Sequence, residues 1–352
     1  VVDFAESIDT IAADLREIAP TFFIGVPRIY EKLQQSFVFR LDESGRLQRW
    51  AFRTAMAVGR RLSDRRQSGA LGLRERMIAW LLHLVMFGNV HRHMGLDRSR
   101  HRLCAGAAVS PEMLRFFDVI GLPLSQGYGL TESGGVSFLQ RPDQRRIGAA
   151  GTALRGVEWR LAEDGEVLLR GPGIFHGYFR DEQGTAATMT PDGWLASGDI
   201  AQVLDDDEIA IVDRKKAIII TSGGKNIAPS EIEHALKDSP YVREAIVVGD
   251  ARKYLGALIQ IDFENVGRWA RERGLAYTTF KSLTALPEVR ALIEEVVADV
   301  NARLARVENI RRFALLDKEL DHDDGELTAT QKVRRSIINT KFAKELVEIY
   351  GE

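Results

Sequence analysis

The sequence predicts an α/β protein of more than one domain. Its first part alternates short apolar segments with helical patterns joined by Pro-marked or small-residue turns, as in 21–32 and 102–119. Its middle part, 145–212, is Gly-rich with short β-branched segments, which predicts an all-β subdomain. Its last part, 229–352, alternates helix and strand patterns and predicts a compact α+β module. A chain of 352 residues also exceeds the usual size of one domain.

The composition excludes several classes of protein. A formal net charge of -2 argues against a dedicated nucleic-acid binder. Cys104 is the single cysteine, so an intramolecular disulfide and a Cys-rich zinc site are excluded, and a cytoplasmic location fits. The first residues, Val1-Val2-Asp3, include no initiator Met and no basic or apolar leader. We therefore expect the chain to be the later part of a longer protein.

Pro residues mark the first elements. Apolar residues at helical spacing predict a helix over 7–19, which Pro20 ends. Residues 21–26 then predict a short buried strand, and a second helix begins near Ile29, after Pro27. A strand that turns directly into a helix is typical of an α/β sheet edge.

Residues 40–102 contain fourteen Arg, no Lys and five acidic residues. Within them, 77–88 is an apolar run that includes Trp80 and Phe87, and it is too short for a bilayer span of roughly 20 residues. We favour a core helix with Arg-rich solvent faces. The alternative is a surface helix that contacts anionic lipid through Arg and inserts its apolar side chains, which would make 40–102 a peripheral membrane contact.

Two strand-to-turn segments carry the first candidate binding residues. Residues 102–109 predict a strand that enters a small-residue turn, and Ser110-Pro111 begins a helix that runs to about Val119. Such turns place backbone N–H groups near a phosphate or nucleotide. The second turn follows 122–124 and holds an aromatic ring, a hydroxyl and a carboxylate within five residues, which is more specific than a Gly-x-Gly pair. It reads Gln126-Gly127-Tyr128-Gly129-Leu130-Thr131-Glu132.

Asp199 and Lys332 are further candidates that also have simpler explanations. Asp199 follows a Gly turn at a strand end and can accept two hydrogen bonds from a vicinal diol, although a lone Gly-Asp more often stabilises a turn. Lys332 lies on a Thr-rich loop and can bind a phosphate or carboxylate. Taken alone, Lys332 reads as a solvated cation at the start of a helix.

The run 213–233 joins these two candidates. Arg214, Lys215 and Lys216 precede a β-branched run at 218–221, and a Gly223-Gly224 pair follows. Pro229 then begins a helix with Glu231 and Glu233 in its first turn, where the helix dipole favours acids. The run is either a solvated turn between a strand and a helix or a ligand-facing loop.

Four motifs occur in the order found in one family, at 128–132, 193–199, 213–229 and 328–332. With the segment 20–32, they make the chain resemble the long-chain fatty acyl-CoA synthetases of the adenylate-forming (AMP-binding) superfamily. The resemblance covers essentially the whole chain and implies the adenylate-forming enzyme fold. It implies an incomplete large domain over 1–213, with a β-rich subdomain at about 145–212, and a mobile C-terminal lid over 214–352.

The resemblance also implies a reaction. A fatty acid attacks the α-phosphate of ATP to give an acyl-adenylate and pyrophosphate, and CoA then displaces AMP. ATP, Mg²⁺ and CoA are the implied cofactors and cosubstrates. Thr131 would contact the α-phosphate, Glu132 would bind Mg²⁺ and Lys332 would stabilise the adenylation transition state. The other implied nucleotide- and CoA-binding residues are Gly106, Ala107, Ala108, Gln126, Gly127, Tyr128, Gly129, Asp199, Arg214, Gly223 and Gly224.

Two features depart from the family pattern. The Gly/Ser/Thr-rich phosphate loop is not found in these residues, so we expect this chain to be the C-terminal part of a synthetase and not to turn over by itself. Ala217 stands where an acid is common, and Ile220 or Thr221 where a Lys often precedes the Gly pair.

Two other functions remain open. One is an acyl-AMP ligase that loads a carrier protein instead of CoA. The other is a non-catalytic, membrane-associated pseudoenzyme. Retention of Thr131, Glu132, Asp199, Arg214 and Lys332 together favours an enzyme, because a scaffold has no use for that set.

Overall fold

The computed structural model describes residues 2–7, 10–42, 44–328 and 332–351. The chain divides into two compact units, Val1–Lys215 and Lys216–Glu352. None of the helices in the described ranges combines the length and apolar character that a membrane span requires.

The first unit begins with α1 (Ile11–Ile18), β1 (Phe22–Gly25) and α2 (Pro27–Asp42). Pro27 is the first residue of α2, where its fixed φ suits a helix and its missing N–H costs nothing. The prediction of a buried strand at 21–26 is wrong in one respect. Phe22 and Ile24 are exposed, and β1 is an edge strand of its sheet among the described strands.

A five-stranded sheet forms the centre of this unit, in the order β1-β2-β3-β4-β5. Its further members are β2 (His101–Ala105), β3 (Ser125–Leu130), β4 (Gly135–Leu139) and β5 (Thr152–Ala153). Strands β1, β2 and β3 are parallel, and β4 and β5 are antiparallel to their neighbours. Because Ala105 pairs with Gly127, the carboxyl ends of β2 and β3 lie side by side.

Helix α6 (Pro111–Val119) joins β2 to β3. Ser110 caps it as predicted, accepting a hydrogen bond from the Met113 N–H. Phe117 of α6 packs edge-on against the buried Tyr30 of α2, with ring centroids 5.4 Å apart. This cluster anchors the parallel strands and so fixes the position of their carboxyl ends.

The Arg-rich region forms α3 (Arg46–Ser68), α4 (Leu73–Leu82), a π-helical turn (His83–Phe87) and α5 (Gly88–Met94). The prediction of a core helix at 77–88 is wrong for most of its length. Phe87 is buried, but Trp80 is 60% exposed and Val85 is 71% exposed. Apolar content alone does not show which face of a helix has a partner, so the sequence could not distinguish the two cases.

A second, four-stranded antiparallel sheet follows in the order β6-β7-β8-β9. It consists of β6 (Glu158–Leu161), β7 (Glu166–Arg170), β8 (Leu195–Val203) and β9 (Ile209–Arg214). The prediction of an all-β subdomain at 145–212 is wrong in one respect, because α7 (Glu182–Thr188) lies between β7 and β8. Phe138 of β4 packs in the same core cluster as Val167, Leu169 and Leu195, so the two sheets share buried surface.

The second unit is built on a three-stranded sheet in the order β12-β13-β14. A small hairpin of β10 (Ile219–Ile220) and β11 (Asn226–Ile227) precedes α8 (Pro229–Lys237), β12 (Val242–Val248) and β13 (Leu255–Ile261). Then follow α9 (Phe263–Glu272), α10 (Phe280–Thr284), α11 (Pro287–Asn301) and β14 (Ile310–Leu315). Strand β13 reads as an apolar run because clusters of buried residues cover both of its faces.

The second unit ends in two helices, α12 (Arg335–Lys341) and α13 (Ala343–Tyr350). They are separated at the buried Phe342, whose φ of -101° and ψ of 33° leave the helical range. Of the two acids that the sequence places in the first turn of α8, Glu231 lies there, whereas Glu233 lies beyond that turn. Glu233 accepts from the Val247 N–H and pairs with Arg335.

Candidate functional site

Asp199 contacts two other candidate residues of the first unit, Tyr128 and Arg214. It is only 4% exposed, and its Oδ1 forms a 2.9 Å ion pair with Nε of Arg214. The hydroxyl of Tyr128 donates a 2.8 Å hydrogen bond to its Oδ2. Asp199 is not at a strand end as expected. It lies within β8, opposite Arg214 of β9.

The phenol of Tyr128 stays protonated near neutral pH. Burial is the main cause that raises the pKa of Tyr128, and the negative charge of Asp199 raises it further. Tyr128 therefore acts as a hydrogen-bond donor to Asp199. The two partners of the Asp199 carboxylate belong to two different sheets, since Tyr128 is on β3 and Arg214 is on β9.

Thr131 and Glu132 follow Tyr128 in a 3₁₀ turn, Thr131–Ser133. The hydroxyl of Ser133 closes this turn, accepting from the Leu130 N–H at 3.0 Å. Gly129 tolerates no side chain, because a Cβ there would lie 1.8 Å from the carbonyl oxygen of Gly135. Tyr128 and Gly129 thus belong to β3, whereas the sequence placed them in the turn after a strand.

Glu132 has a partner that the sequence analysis did not select. The hydroxyl of Tyr178 donates a 2.7 Å hydrogen bond to Oε1 of Glu132, and this bond is the main cause that raises the pKa of Tyr178. The Phe175 N–H donates to the Glu132 carbonyl oxygen at 2.8 Å. Tyr178 lies 46 residues from Glu132 along the chain, and no spacing in the sequence links the two.

The remaining candidates of this unit lie at the adjoining ends of β2 and β3. Gly106, Ala107 and Ala108 follow β2 and are exposed, with Gly106 at a φ of 93°. The Gln126 N–H donates to Oε1 of Gln140 at 3.0 Å. The side-chain oxygen of Gln126 is buried and lacks a hydrogen-bond partner in the described part of the chain. Ligands of α/β sheets bind beyond such carboxyl ends.

Gly223, Gly224 and Lys332 belong to the second unit. The glycines form the tip of the β10–β11 hairpin, where the Gly224 N–H donates to the Thr221 carbonyl and the φ of Gly224 is 74°. Lys332 is exposed, and its N–H donates to Oγ1 of Thr328 at 3.0 Å. The other members of that motif, 329–331, lie outside the described residues.

The metal-binding capacity of the site is limited. No group of three or more His, Cys, Asp or Glu side chains suited to a metal ion occurs within the described ranges. A single partly exposed carboxylate such as Glu132 fits Mg²⁺, which is commonly held by one or two carboxylates, water and substrate phosphates. It does not fit a metal that requires a complete cage of protein ligands.

Two family models match this chain. Residues 2–179 match the model described as AMP-binding enzyme. Residues 216–352 match the model described as AMP-binding enzyme C-terminal domain.

Two curated relatives and one solved structure show the extent of the similarity. The long-chain-fatty-acid–CoA ligase FadD15 of Mycobacterium bovis is 35% identical over 353 residues, which cover 100% of this chain and 58% of FadD15. The long-chain-fatty-acid–CoA ligase ACSBG2 of Mus musculus is 28% identical, over 97% of this chain and 54% of its own length. The adenylation domain of a carboxylate reductase from Mycobacterium chelonae aligns with a TM-score of 0.74 and 23% identity, over 99% of this chain and 49% of that chain.

Proposed function

Because the chain belongs to the family of AMP-binding enzymes, we propose that it carries the nucleotide site and the C-terminal domain of a ligase that converts a fatty acid to its acyl-CoA. The carboxylate oxygen attacks the α-phosphorus of ATP, and the bond to pyrophosphate breaks. The CoA sulfur then attacks the acyl carbon and AMP leaves. The single observation that carries this proposal is the buried Asp199 carboxylate, held by Tyr128 and Arg214.

The proposed nucleotide contacts follow from that arrangement. Asp199 would accept from the ribose hydroxyls, and Arg214, whose side chain is 60% exposed, would reach the same sugar. The ring of Tyr128 would stack on adenine, along the exposed turn 106–108. Thr131 is exposed at the start of its turn and would donate to the α-phosphate. Gln126 offers a buried acceptor in the same region.

Glu132 would hold Mg²⁺, and a bound ion would neutralise part of the negative charge on the phosphate oxygens. Its present contact with Tyr178 orients the carboxylate. In the second unit, Lys332 would donate to the crowded oxygens of the carboxylate and α-phosphate. The Gly223-Gly224 hairpin tip, with no side chains to block an approach, would serve the CoA step.

The names of FadD15 and ACSBG2 support a long-chain fatty acid as substrate and CoA as acceptor. The chain spans less than two thirds of the length of both relatives. A carrier protein is the alternative acceptor, since it presents the same pantetheine thiol. Formation of free acyl-CoA distinguishes the two.

We also propose that the Arg-rich region makes a peripheral contact with an anionic lipid surface. Six large apolar side chains of α4 and the π-helical turn are exposed there: Leu73, Met77, Trp80, Leu81, Leu84 and Val85. Arg74 and Arg76 lie on the same helix. Arg side chains attract anionic lipid headgroups, and neighbouring apolar side chains can insert into the lipid. Together they fit contact with an anionic lipid surface.

The experiment that tests the proposed reaction uses the complete enzyme, which in our proposal contains residues upstream of this chain. Fatty acids of graded length, ATP and CoA are supplied, and acyl-CoA, AMP and pyrophosphate are measured together. We expect the three products in equal amounts, with the highest kcat/KM for long acids. Products that appear with ADP and inorganic phosphate instead would contradict the proposal. The present chain alone should show no turnover in a sensitive pyrophosphate-release assay.

A further inference from the structure

Glu166, the first residue of β7, uses its two carboxylate oxygens on two different neighbours. Its Oε1 accepts a 2.8 Å hydrogen bond from the Gly198 N–H. Its Oε2 pairs with Nζ of Lys215, also at 2.8 Å. Gly198 directly precedes Asp199, and Lys215 directly follows Arg214. One carboxylate therefore touches the chain neighbours of both residues that form the Asp199–Arg214 pair.

The local backbone explains why a side chain is used here. Gly198 has a φ of 72°, and the pairing of β8 with β7 and with β9 is irregular close to it. Its N–H is therefore directed away from a regular strand ladder and meets Glu166. Glu166 is only 8% exposed, and a buried carboxylate persists when hydrogen bonds and a cation compensate its lost hydration.

Lys215 supplies that cation and is itself held from two sides. It pairs with Oδ2 of Asp164 at 2.5 Å as well as with Glu166. The contact with Asp164, and then that with Glu166, raises the pKa of Lys215, so the ammonium remains charged near neutral pH. Asp164 itself accepts from the Glu166 N–H at 3.2 Å. Glu166 is thus the member that connects Lys215 to the Gly198-Asp199 backbone.

We propose that Glu166 is a positioning residue for recognition of the nucleotide ribose. Through Gly198 and Lys215, Glu166 fixes the backbone next to Asp199 relative to the end of β9. Asp199 and Arg214 can then face the same sugar. The inference rests on the proposed function, because it takes Asp199 as the acceptor for the ribose hydroxyls. It adds a residue that does not touch the nucleotide and acts through two that do.

The test is calorimetric titration of the 352-residue chain with AMP and with 2′,3′-dideoxy-AMP, which lacks both ribose hydroxyls. Glu166→Ala should weaken AMP binding about tenfold, because Asp199 and Arg214 would no longer be held towards the same sugar, and should weaken dideoxy-AMP binding less than about threefold. Glu166→Gln keeps an acceptor for Gly198 but loses the charge that faces Lys215. It should give a smaller loss, again confined to AMP.

Asp164→Asn is the matched control, because it removes the other carboxylate on Lys215 without a contact to Gly198. It should change both affinities less than about twofold. Thermal unfolding checks that each variant is folded. If Glu166→Ala does not fold, Glu166→Gln provides the test. Equal weakening of both nucleotides by Glu166→Gln would indicate a merely structural role and would overturn the inference.

Failure of the inference and failure of the proposed function give different results. If Asp199→Asn abolishes the discrimination between AMP and dideoxy-AMP but the Glu166 variants retain it, the inference is wrong and the ribose site stands. If the unaltered chain binds both nucleotides equally, Asp199 is not the ribose acceptor, and both the proposed site and the inference fall.

Discussion

The hydroxyl of Tyr128 donates a 2.8 Å hydrogen bond to Oδ2 of Asp199, and these two residues belong to different sheets. Tyr128 is on β3 of the five-stranded sheet, and Asp199 is on β8 of the antiparallel one. The shared core around Phe138 brings the sheets together, and Tyr128 itself packs against that core. The aromatic ring and the carboxylate are therefore fixed relative to each other by the fold.

Removal of the Tyr128 hydroxyl should weaken nucleotide binding through Asp199. Tyr128→Phe keeps the ring for stacking but leaves Asp199 without one of its two side-chain partners described above. We expect a loss of about tenfold in AMP affinity, measured by calorimetric titration of the chain, because a hydrogen bond to a charged group contributes about 1.5–3 kcal/mol.

Tyr254→Phe is the control for this change. It deletes a hydroxyl of the second unit that donates at 2.8 Å to the Ile349 carbonyl, whereas Tyr128 and Asp199 belong to the first unit. AMP affinity should be unchanged. An equal loss in both variants would show that the effect of Tyr128→Phe is not specific to Asp199.

Replacement of Lys332 should separate the two half-reactions in the complete enzyme. We expect Lys332→Ala to slow acyl-adenylate formation by about 10²–10³-fold, the range found when one donor to a developing negative charge is removed. Thioester formation from supplied acyl-AMP and CoA should be largely preserved. Both rates are measured in single-turnover experiments, and an equal loss of both would refute the assigned role.

Acid should destabilise the first unit through His91. This residue is buried beside α6, its Nε2–H donates to the Ile120 carbonyl at 2.7 Å, and burial lowers its pKa from 6.5 to about 4. The unfolded state therefore binds more protons than the folded state between these values, so the free energy of unfolding falls as pH falls through 6.5 towards 4.

The loss attributable to His91 between about pH 7.5 and about pH 4.5 should be about 2 kcal/mol, since each pKa unit corresponds to about 1.4 kcal/mol. Urea unfolding of the chain at both pH values measures it. In His91→Gln, which retains a side-chain N–H but does not titrate, this part of the pH dependence should disappear. The same pH dependence in both proteins would show that burial of His91 is not its cause.

Membrane contact through α4 should depend on both charge and insertion. We expect the chain to sediment with vesicles that contain anionic lipid and to be released as salt is raised. Trp80→Ser should reduce binding several-fold, because the exposed ring would no longer insert. Phe179→Ser is the control, as it removes another exposed aromatic side chain outside the Arg-rich region. Vesicle binding that does not change with salt concentration or with the content of anionic lipid would contradict the proposal.

The fold class was predictable from the sequence because the motifs are ordered along the chain, and the structural similarity confirms it. Local signals such as the Ser110 cap were reliable, since they involve residues three positions apart. The exposure of Trp80 was not predictable, because it depends on which elements pack beside α4.

For the candidate site, the sequence selected residues but could not supply their contacts. Tyr128, Asp199 and Arg214 were each named from their own motifs, and the structure brings their side chains into contact. Tyr178 and Glu166 were not selected, because the hydrogen bonds that give them significance span 46 residues and 32 residues along the chain. Their roles, like those of the selected residues, remain proposals.

The measurement that tests the proposed reaction most directly follows oxygen atoms. The complete enzyme is supplied with a long fatty acid labelled with oxygen-18 in both carboxylate positions, together with ATP and CoA. If the reaction proceeds through an acyl-adenylate, each acyl-CoA formed leaves one labelled oxygen in the phosphate of AMP, which mass spectrometry detects. Unlabelled AMP, with the label found in another product, would contradict the proposed function.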